Sequence, residues 1–432
     1  MTSRANKVRA ALLTGLTTSA LLASSLGATA DATGAGHDHA RATASGTITY
    51  VRANNVWVAN TDGSGARQVT SGGTASTPWY SPTESDAGQI VAGRGDLIYR
   101  MDQWGKVLTT MDPPDLRSGG GQTLGGRLSS LAVSPDGATI AYTYSKNYCS
   151  TINVCKIWPV TGFTSSTKLS TPDDYGTSYG QTPSWVTNTR VALDARTGFD
   201  NLYLYEVGRG TVGYYWFDDA NIHTDDLDLF DLEVSLGSPY GVAVRGSYDQ
   251  ARITFYDLSG TGDFRTGVPS PPDWQMGETN PESGLGSPTI SADGKLAAWH
   301  EAAGISTFGM EPGLQPVLII PGGSSPSLSR AALQTTRPTY PPAPFVTKAA
   351  PQVKGTAKLG KKLRAAAPVL QPRPTSLRYQ WYRDGKAIKG AKRATYEITK
   401  RDRGHKLKVR VVAIRKGYTT KALTSKAVRV RK

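Results

Sequence analysis

Seven carboxylates crowd one short stretch of this 432-residue chain: Asp218, Asp219, Asp225, Asp226, Asp228, Asp231 and Glu233. Alternating oxygens such as those of Asp226 and Asp228 suit Ca²⁺, a hard cation that accepts carboxylates and carbonyls. No Gly-centred twelve-residue loop accompanies them, and a charge run is ordinarily a solvated face. His223 and His300 are the only histidines between residues 47 and 344. An imidazole there would move a proton next to a carboxylate, alone or beside a metal. Neither has a matched second group in the sequence, and no cofactor is indicated.

Shorter motifs carry less. Gly176-Thr177-Ser178-Tyr179-Gly180 fits a nucleophile elbow, which requires a strand before the Ser and a helix after it. The residues after this Ser are strand-like instead, Pro183-Ser184-Trp185-Val186. Arg94-Gly95-Asp96 is an adhesion-like tripeptide in a turn, and short motifs without their structural context are mostly accidental. His37-Asp38-His39 offers two imidazoles where structural metal sites usually need four ligands. Cys149 and Cys155 are the only cysteines. In an exported chain they are expected to pair as one short-loop disulfide, since a metal or redox pair would want closer spacing or nearby histidines.

Charge divides the chain. Residues 345 to 432 hold 26 Lys+Arg against 3 Asp+Glu, or +23, while residues 47 to 344 hold 19 against 29, or −10. Lys358, Lys361, Lys362, Lys406, Lys408 and Arg410 are the candidate electrostatic surface of the basic segment. Such a surface attracts polyanions and weakens with salt. In an exported protein the partner is expected to be an anionic wall polymer, phospholipid headgroups or an envelope protein rather than nucleic acid.

The elements that must position these groups are strands. Ile48 to Thr70 reads as three short strands joined by Asn54-Asn55 and by Asp62-Gly63-Ser64-Gly65, with β-branched and aromatic residues between the turns. A lone meander buries too little, so it must stack on copies of itself or on something else. Copies are present downstream. The clearest runs from Leu131-Ala132-Val133 through Ser134-Pro135-Asp136-Gly137 and Thr139-Ile140-Ala141-Tyr142-Thr143 to Lys156-Ile157-Trp158-Pro159-Val160. Counting the phrase gives six units. The first unit lacks its leading strand, and an orphan strand at Pro326-Ser327-Leu328-Ser329 is expected to pair beside Ile48-Thr49-Tyr50 and close a ring without an open edge.

Residues 1–30 have the form of a signal peptide: Arg4, Lys7 and Arg9, an apolar run from Ala10 to Leu26, then Ala28-Thr29-Ala30. The run is short for a membrane span. Residues 31–46 read as a flexible lead-in and 337–344 as a stiff Pro-rich linker. Residues 345–432 alternate Lys or Arg with Val or Leu at regular spacing, as a sandwich strand with one wet face requires.

These phrases carry two resemblances. Asn55-Val56-Trp57-Val58-Ala59-Asn60-Thr61-Asp62-Gly63-Ser64-Gly65-Ala66-Arg67-Gln68-Val69-Thr70 and Ser134-Pro135-Asp136-Gly137 resemble the WD40-like propeller repeats of the TolB family. Only the fold is implied, because the mixed α/β domain of TolB has no counterpart here. The Gly-Thr-Ala-Lys-Leu-Gly phrase at 355–360, Tyr379-Gln380-Trp381-Tyr382-Arg383-Asp384-Gly385 and the closing Val-x-Ala-x-Arg-Lys-Gly-Tyr resemble the small immunoglobulin-like repeats of Gram-positive exported proteins. That resemblance implies a buried Trp381.

The expectation is therefore all-β: a six-bladed β-propeller over 47–336 followed by a basic Ig-like β-sandwich over 345–432, in a secreted, monomeric protein. The expected function is non-catalytic recognition at the cell envelope, with the propeller binding a protein, peptide or glycan. The alternatives are a secreted propeller lyase or hydrolase acting on carbohydrate or peptide, and a structural spacer.

Overall fold

The computed structural model describes residues 45–431 except 119, 150–154, 169–174, 197–199, 210–212, 218–228, 247–250, 260–273, 276–283 and 312–313. The signal-peptide and lead-in segments, His37 to His39, His223, and Asp218, Asp219, Asp225, Asp226 and Asp228 lie outside the described residues, apart from residues 45 and 46. The chain divides into two units, ending and beginning at Leu333 and Gln334. Among the described residues, no helix is long and apolar enough to cross a membrane.

The first unit is built from six four-stranded antiparallel sheets. Sheet two consists of Trp79–Glu84, Gln89–Arg94, Leu97–Asp102 and Val107–Met111. Sheet three consists of Ser130–Val133, Thr139–Cys149, Cys155–Ser165 and Thr177–Tyr179. Sheet four takes Gln181–Trp185, Arg190–Arg196, Asp200–Glu206 and Gly213–Phe217. Sheet five takes Leu229–Val234, Tyr240–Arg245, Arg252–Asp257 and Trp274–Gln275. Sheet six takes Gly286–Ile290, Leu296–Glu301, Gly304–Gly309 and Val317–Pro321.

Sheet one is composite. Thr47–Arg52, Asn55–Asn60 and Arg67–Gln68 come from the start of the unit, and Gly323–Ser329 from its end. The late strand pairs antiparallel with Thr47–Arg52, with Ile48 opposite Leu328. The orphan strand thus covers an edge that would otherwise present unpaired N–H and C=O groups.

The leading strands of the six sheets touch one another in cyclic order, two to three and onward to six, then one, then two again. Apolar clusters follow the same cycle. Val58 and Ile90 share a cluster between sheets one and two, and Val91 and Ile140 between two and three. Phe163 and Val191 join three to four, Leu204 and Ala243 four to five. Phe255 and Trp299 join five to six, and Leu296 and Ile48 join six to one. Each sheet is apolar on both faces because each face meets a neighbour, which is why strands such as Val-Ala-Val at 242–244 are buried without alternation.

Two sheets of the second unit pack on one core, and a third, two-stranded sheet pairs Val346–Ala349 with Val369–Gln371. Gln352–Lys354, Lys362–Ala366 and Thr395–Glu397 form the smaller sheet. The larger holds Lys386–Ala387, Ser376–Arg383, Lys406–Ile414 and Lys421–Thr424, with Val428–Arg429 also pairing Lys406–Ile414. Leu363, Ala365 and Ile398 face Trp381, Leu407, Val409 and Val411. Trp381 is fully buried, stacks on Tyr396, and donates its indole N–H to the Arg393 carbonyl at 2.9 Å. Asp402, fully buried at the core's end, accepts from Arg383 Nε, the Tyr396 hydroxyl and the Thr399 amide.

Candidate functional site

Six leading strands in a cycle leave an inner edge on each with no strand beside it. Its polar groups must find other partners, and small oxygen-bearing side chains supply them from one sheet to the next. The Val133 amide donates to Thr83 Oγ1 at 3.0 Å, the Thr182 amide to Ser130 Oγ at 3.3 Å, and the Leu328 amide to Thr289 Oγ1 at 3.0 Å. Between sheets five and six the acceptors are carboxylates. The Ser287 amide donates to Asp231 Oδ2 at 3.2 Å and the Ile290 amide to Glu233 Oε1 at 3.4 Å. Thr289 Oγ1 also donates to Glu233 Oε1 at 2.6 Å, which links sheets five, six and one.

The same strands share a local distortion. Ser81, Thr182, Asp231, Ser287 and Ser325 have φ of 44°, 47°, 53°, 49° and 49°, and each sits at or beside a shift in strand register. Left-handed backbone at a residue with a side chain is strained, by about 1–3 kcal/mol each. The bulge turns that side chain out of the sheet's pleat. Pro82, Pro183, Pro288 and Pro326 come directly after four of these residues, tolerated because an inner-edge strand does not need that N–H for a ladder.

Two adjoining cavities lie along these strands. The larger, of about 150 Å³, is lined by Ser81, Ser130, Thr182, Asp231, Ser287 and Ser325, one residue from each sheet, with Thr83, Ser184, Glu233 and Ser327 deeper. The smaller, of about 90 Å³, shares those four deeper residues and adds Glu84, Asp86, Trp185 and Arg330. Glu233 is only partly covered, its open side facing cavity space, and enclosure by protein holds its carboxyl up at about 7 against the pull of its hydrogen bonds to Thr289 and Ile290. Ser184 is 8% exposed, and its hydroxyl has no hydrogen-bond partner among the described residues; Thr182 Oγ1 is also buried and unpartnered among them.

Glu84 plays a different part. Thr47 Oγ1 donates to it at 2.5 Å and Gln103 Nε2 at 2.8 Å, and the same Gln103 nitrogen reaches the Ala332 carbonyl at 3.1 Å. The first strand of the unit, sheet two and the segment after the last strand are thereby tied together at one buried carboxyl. Burial pushes Glu84 up to about 7, more than its two hydrogen bonds and Arg67 pull it down.

Of the sequence candidates, Asp231 and Glu233 reach the cavity and His300 does not. His300 lies on the second strand of sheet six opposite Gly286, its pKa lowered by burial despite Glu301. Among the described residues, no three His, Cys, Asp or Glu side chains gather as a metal site. Ser178 sits within a short strand opposite Thr161 and is succeeded by the strand of sheet four, so no elbow forms. Arg94 donates to the Gly72 carbonyl and stacks over Trp79, which leaves the adhesion-like tripeptide without a free guanidinium. Cys149 and Cys155 are direct cross-strand register partners, placed in the long hairpin of sheet three rather than in a loop.

The basic candidates separate. Lys406, Lys408 and Arg410 alternate with buried Leu407, Val409 and Val411 and so face outward from the larger sheet. Lys362 faces outward from the smaller sheet, opposite Glu397, with Lys358 and Lys361 in the turn before it. Glu84 and the orphaned hydroxyls escaped sequence reasoning. The available signal was the Ser-Pro or Thr-Pro dipeptide that four of the six sheets carry at 81, 182, 287 and 325.

No family model matches the sequence, and no curated protein matches it. Solved structures give distant likenesses. Hydrazine synthase from Kuenenia stuttgartiensis is 12% identical with a TM-score of 0.36, over 60% of this chain and 71% of that one. The Cps50 (Swd1) β-propeller domain of Myceliophteria thermophila is 10% identical with a TM-score of 0.34, over 81% and 96%. A eukaryotic initiation factor is 10% identical with a TM-score of 0.26, over 90% and 98%. At such scores these likenesses bear on neither activity nor partner. A propeller-like fold fits the arrangement described above.

Proposed function

We propose that this chain is an exported, non-catalytic recognition protein in which a TolB-like six-bladed propeller binds a ligand and a basic Ig-like sandwich associates with an anionic wall polymer. The propeller reading is supported by six successive four-stranded sheets, their cyclic contacts and the pairing of Ile48 with Leu328. The Ig-like reading is supported by two facing sheets over a buried Trp381. Export is supported by the form of residues 1–30, and a Cys149–Cys155 disulfide by their cross-strand register.

The observation that carries the function is the display of charge. The +23 segment puts Lys406, Lys408 and Arg410 on one outer face and Lys362 on the other, so a polyanion meets cations from either side. The test is co-sedimentation of the full chain with purified cell-wall fractions across a salt series. Retention at low ionic strength, lost as salt rises and lost on removal of residues 345–432, is the expected result. No retention at low salt overturns the reading.

A further inference from the structure

The larger cavity presents acceptors to whatever enters it. Among the described residues its lining holds two carboxylates, Asp231 and Glu233, and a set of hydroxyls, and includes no Lys, Arg, His or aromatic residue. A sugar would want an aromatic face to stack on, and an anion would want a cation. Among the described residues no third metal-ligating side chain stands near the two carboxylates, whereas a dedicated Ca²⁺ site takes six to eight oxygens, roughly, around one ion.

The spare acceptors have a particular character. Glu233 carries negative charge in the cavity lining, and Ser184 Oγ and Thr182 Oγ1, contributed to the same lining by the neighbouring sheet, are buried without a partner among the described residues. A buried hydroxyl left unbonded costs about 1–3 kcal/mol, so each of these groups gains on meeting a donor. A primary ammonium offers three N–H donors and one positive charge, which matches one carboxylate and two hydroxyls. The cavity also has room for a methylene stem, and the propeller segment's −10 charge draws cations toward it.

We infer that this cavity receives a primary alkylammonium, in the form a lysine side chain of a peptide presents it, held by Glu233, Ser184 and Thr182. This deepens the recognition reading by naming the group that the propeller recognises. It rests on that reading but is tested separately from wall binding, which concerns the other unit.

The test is calorimetric titration of the full-length protein with Nα-acetyl-lysine methylamide, n-butylammonium, tetramethylammonium and CaCl₂ at pH 8. Saturable one-to-one binding of the two primary amines in the millimolar range is expected, as befits ligands of so few atoms. Tetramethylammonium, which has no N–H donor, is expected not to bind. Glu233→Gln keeps an oxygen for Thr289 and Ile290 yet removes the charge, and should weaken amine binding by about tenfold or more. Ser184→Ala should weaken it several-fold with the melting temperature unchanged or raised. Should Glu233→Gln fail to fold, the wild type decides: amine affinity must fall between pH 8 and pH 6 as Glu233 gains a proton. Absence of amine binding, equal binding of tetramethylammonium, calcium binding without amine binding, or affinity indifferent to Glu233 and to pH overturns the inference. Binding of butylammonium but not of the lysine derivative overturns the lysine form.

Discussion

Ile48 and Leu328 stand directly opposite each other on adjacent antiparallel strands, 280 positions apart in sequence. Both are buried, and both belong to the cluster that joins sheet six to sheet one. Truncating Ile48 to Ala removes packing at the place where the start and end of the unit share a sheet. A loss of roughly 2–5 kcal/mol is expected, read by urea denaturation of the full chain. A change below about 1 kcal/mol would mean that this pairing does not hold the unit together.

Glu84 makes stability depend on pH in a stated direction. Its folded-state pKa lies near 7, above the ordinary carboxyl value of 4.5, so between those values the native state binds more protons than the unfolded one. Stability is therefore greatest below about pH 4.5 from this group, and falls as pH rises from there toward 7, by roughly 3 kcal/mol at most. Glu233 acts in the same sense. Chemical denaturation of Glu84→Gln at pH 5, 6, 7 and 8 should show a flatter pH profile than wild type. Superimposable profiles would remove Glu84 as the source.

The left-handed residues of the leading strands should reveal their strain by substitution. Ser287→Gly suits φ of 49° and is expected to hold stability within about 1 kcal/mol, whereas Ser287→Val, β-branched at the same backbone, should cost about 1–3 kcal/mol. Differential scanning calorimetry of the pair checks the sign, and a Val variant as stable as the Gly variant would contradict a strained bulge.

Thr289 holds two neighbours at once, donating to Glu233 and accepting from the Leu328 amide. Thr289→Val keeps the shape, leaves the Leu328 amide unmet and takes from Glu233 its shorter hydrogen bond, so a loss of about 1–3 kcal/mol is expected, larger than for Thr83→Val, which leaves only the Val133 amide unmet. Equal costs would argue against a relay through Thr289.

Reversing the charge of Lys406, Lys408 and Arg410 to Glu should abolish low-salt retention on wall fractions while leaving the melting temperature within about 2 °C, since all three side chains point away from the core. Retention unchanged by the triple reversal would transfer the binding role to the opposite face around Lys362.

Much of the strand pattern was legible because apolar runs bounded by Gly and Pro are local signals. The pairing of the late strand with Ile48 could be reasoned out from a missing leading strand, since an open edge is a defect that a chain must cover. Glu84 was not legible. Its partners are Thr47 and Gln103, the latter held in turn by the Ala332 carbonyl, from three segments that meet only once the sheets are arranged, and a lone Glu in a strand looks solvent-facing. Glu233 was noticed for its neighbours in an acidic run, yet its position among hydroxyls depends on bulges that place side chains out of alternation. The short hairpin of Leu116–Arg117 and Thr123–Leu124 also went unread, because two-residue strands carry no period.

The composite makeup of sheet one sets an order of events. A ribosome makes Thr47–Arg52 early and Gly323–Ser329 some 270 residues later, so the founding strand, paired on one side with Asn55–Asn60, keeps its other edge open through nearly the whole synthesis of its unit. A unit built this way stays incomplete until its far end has been made, and sheet one closes only then. Fragments that stop before residue 323 should therefore be sticky and short-lived, whatever their remaining sheets achieve.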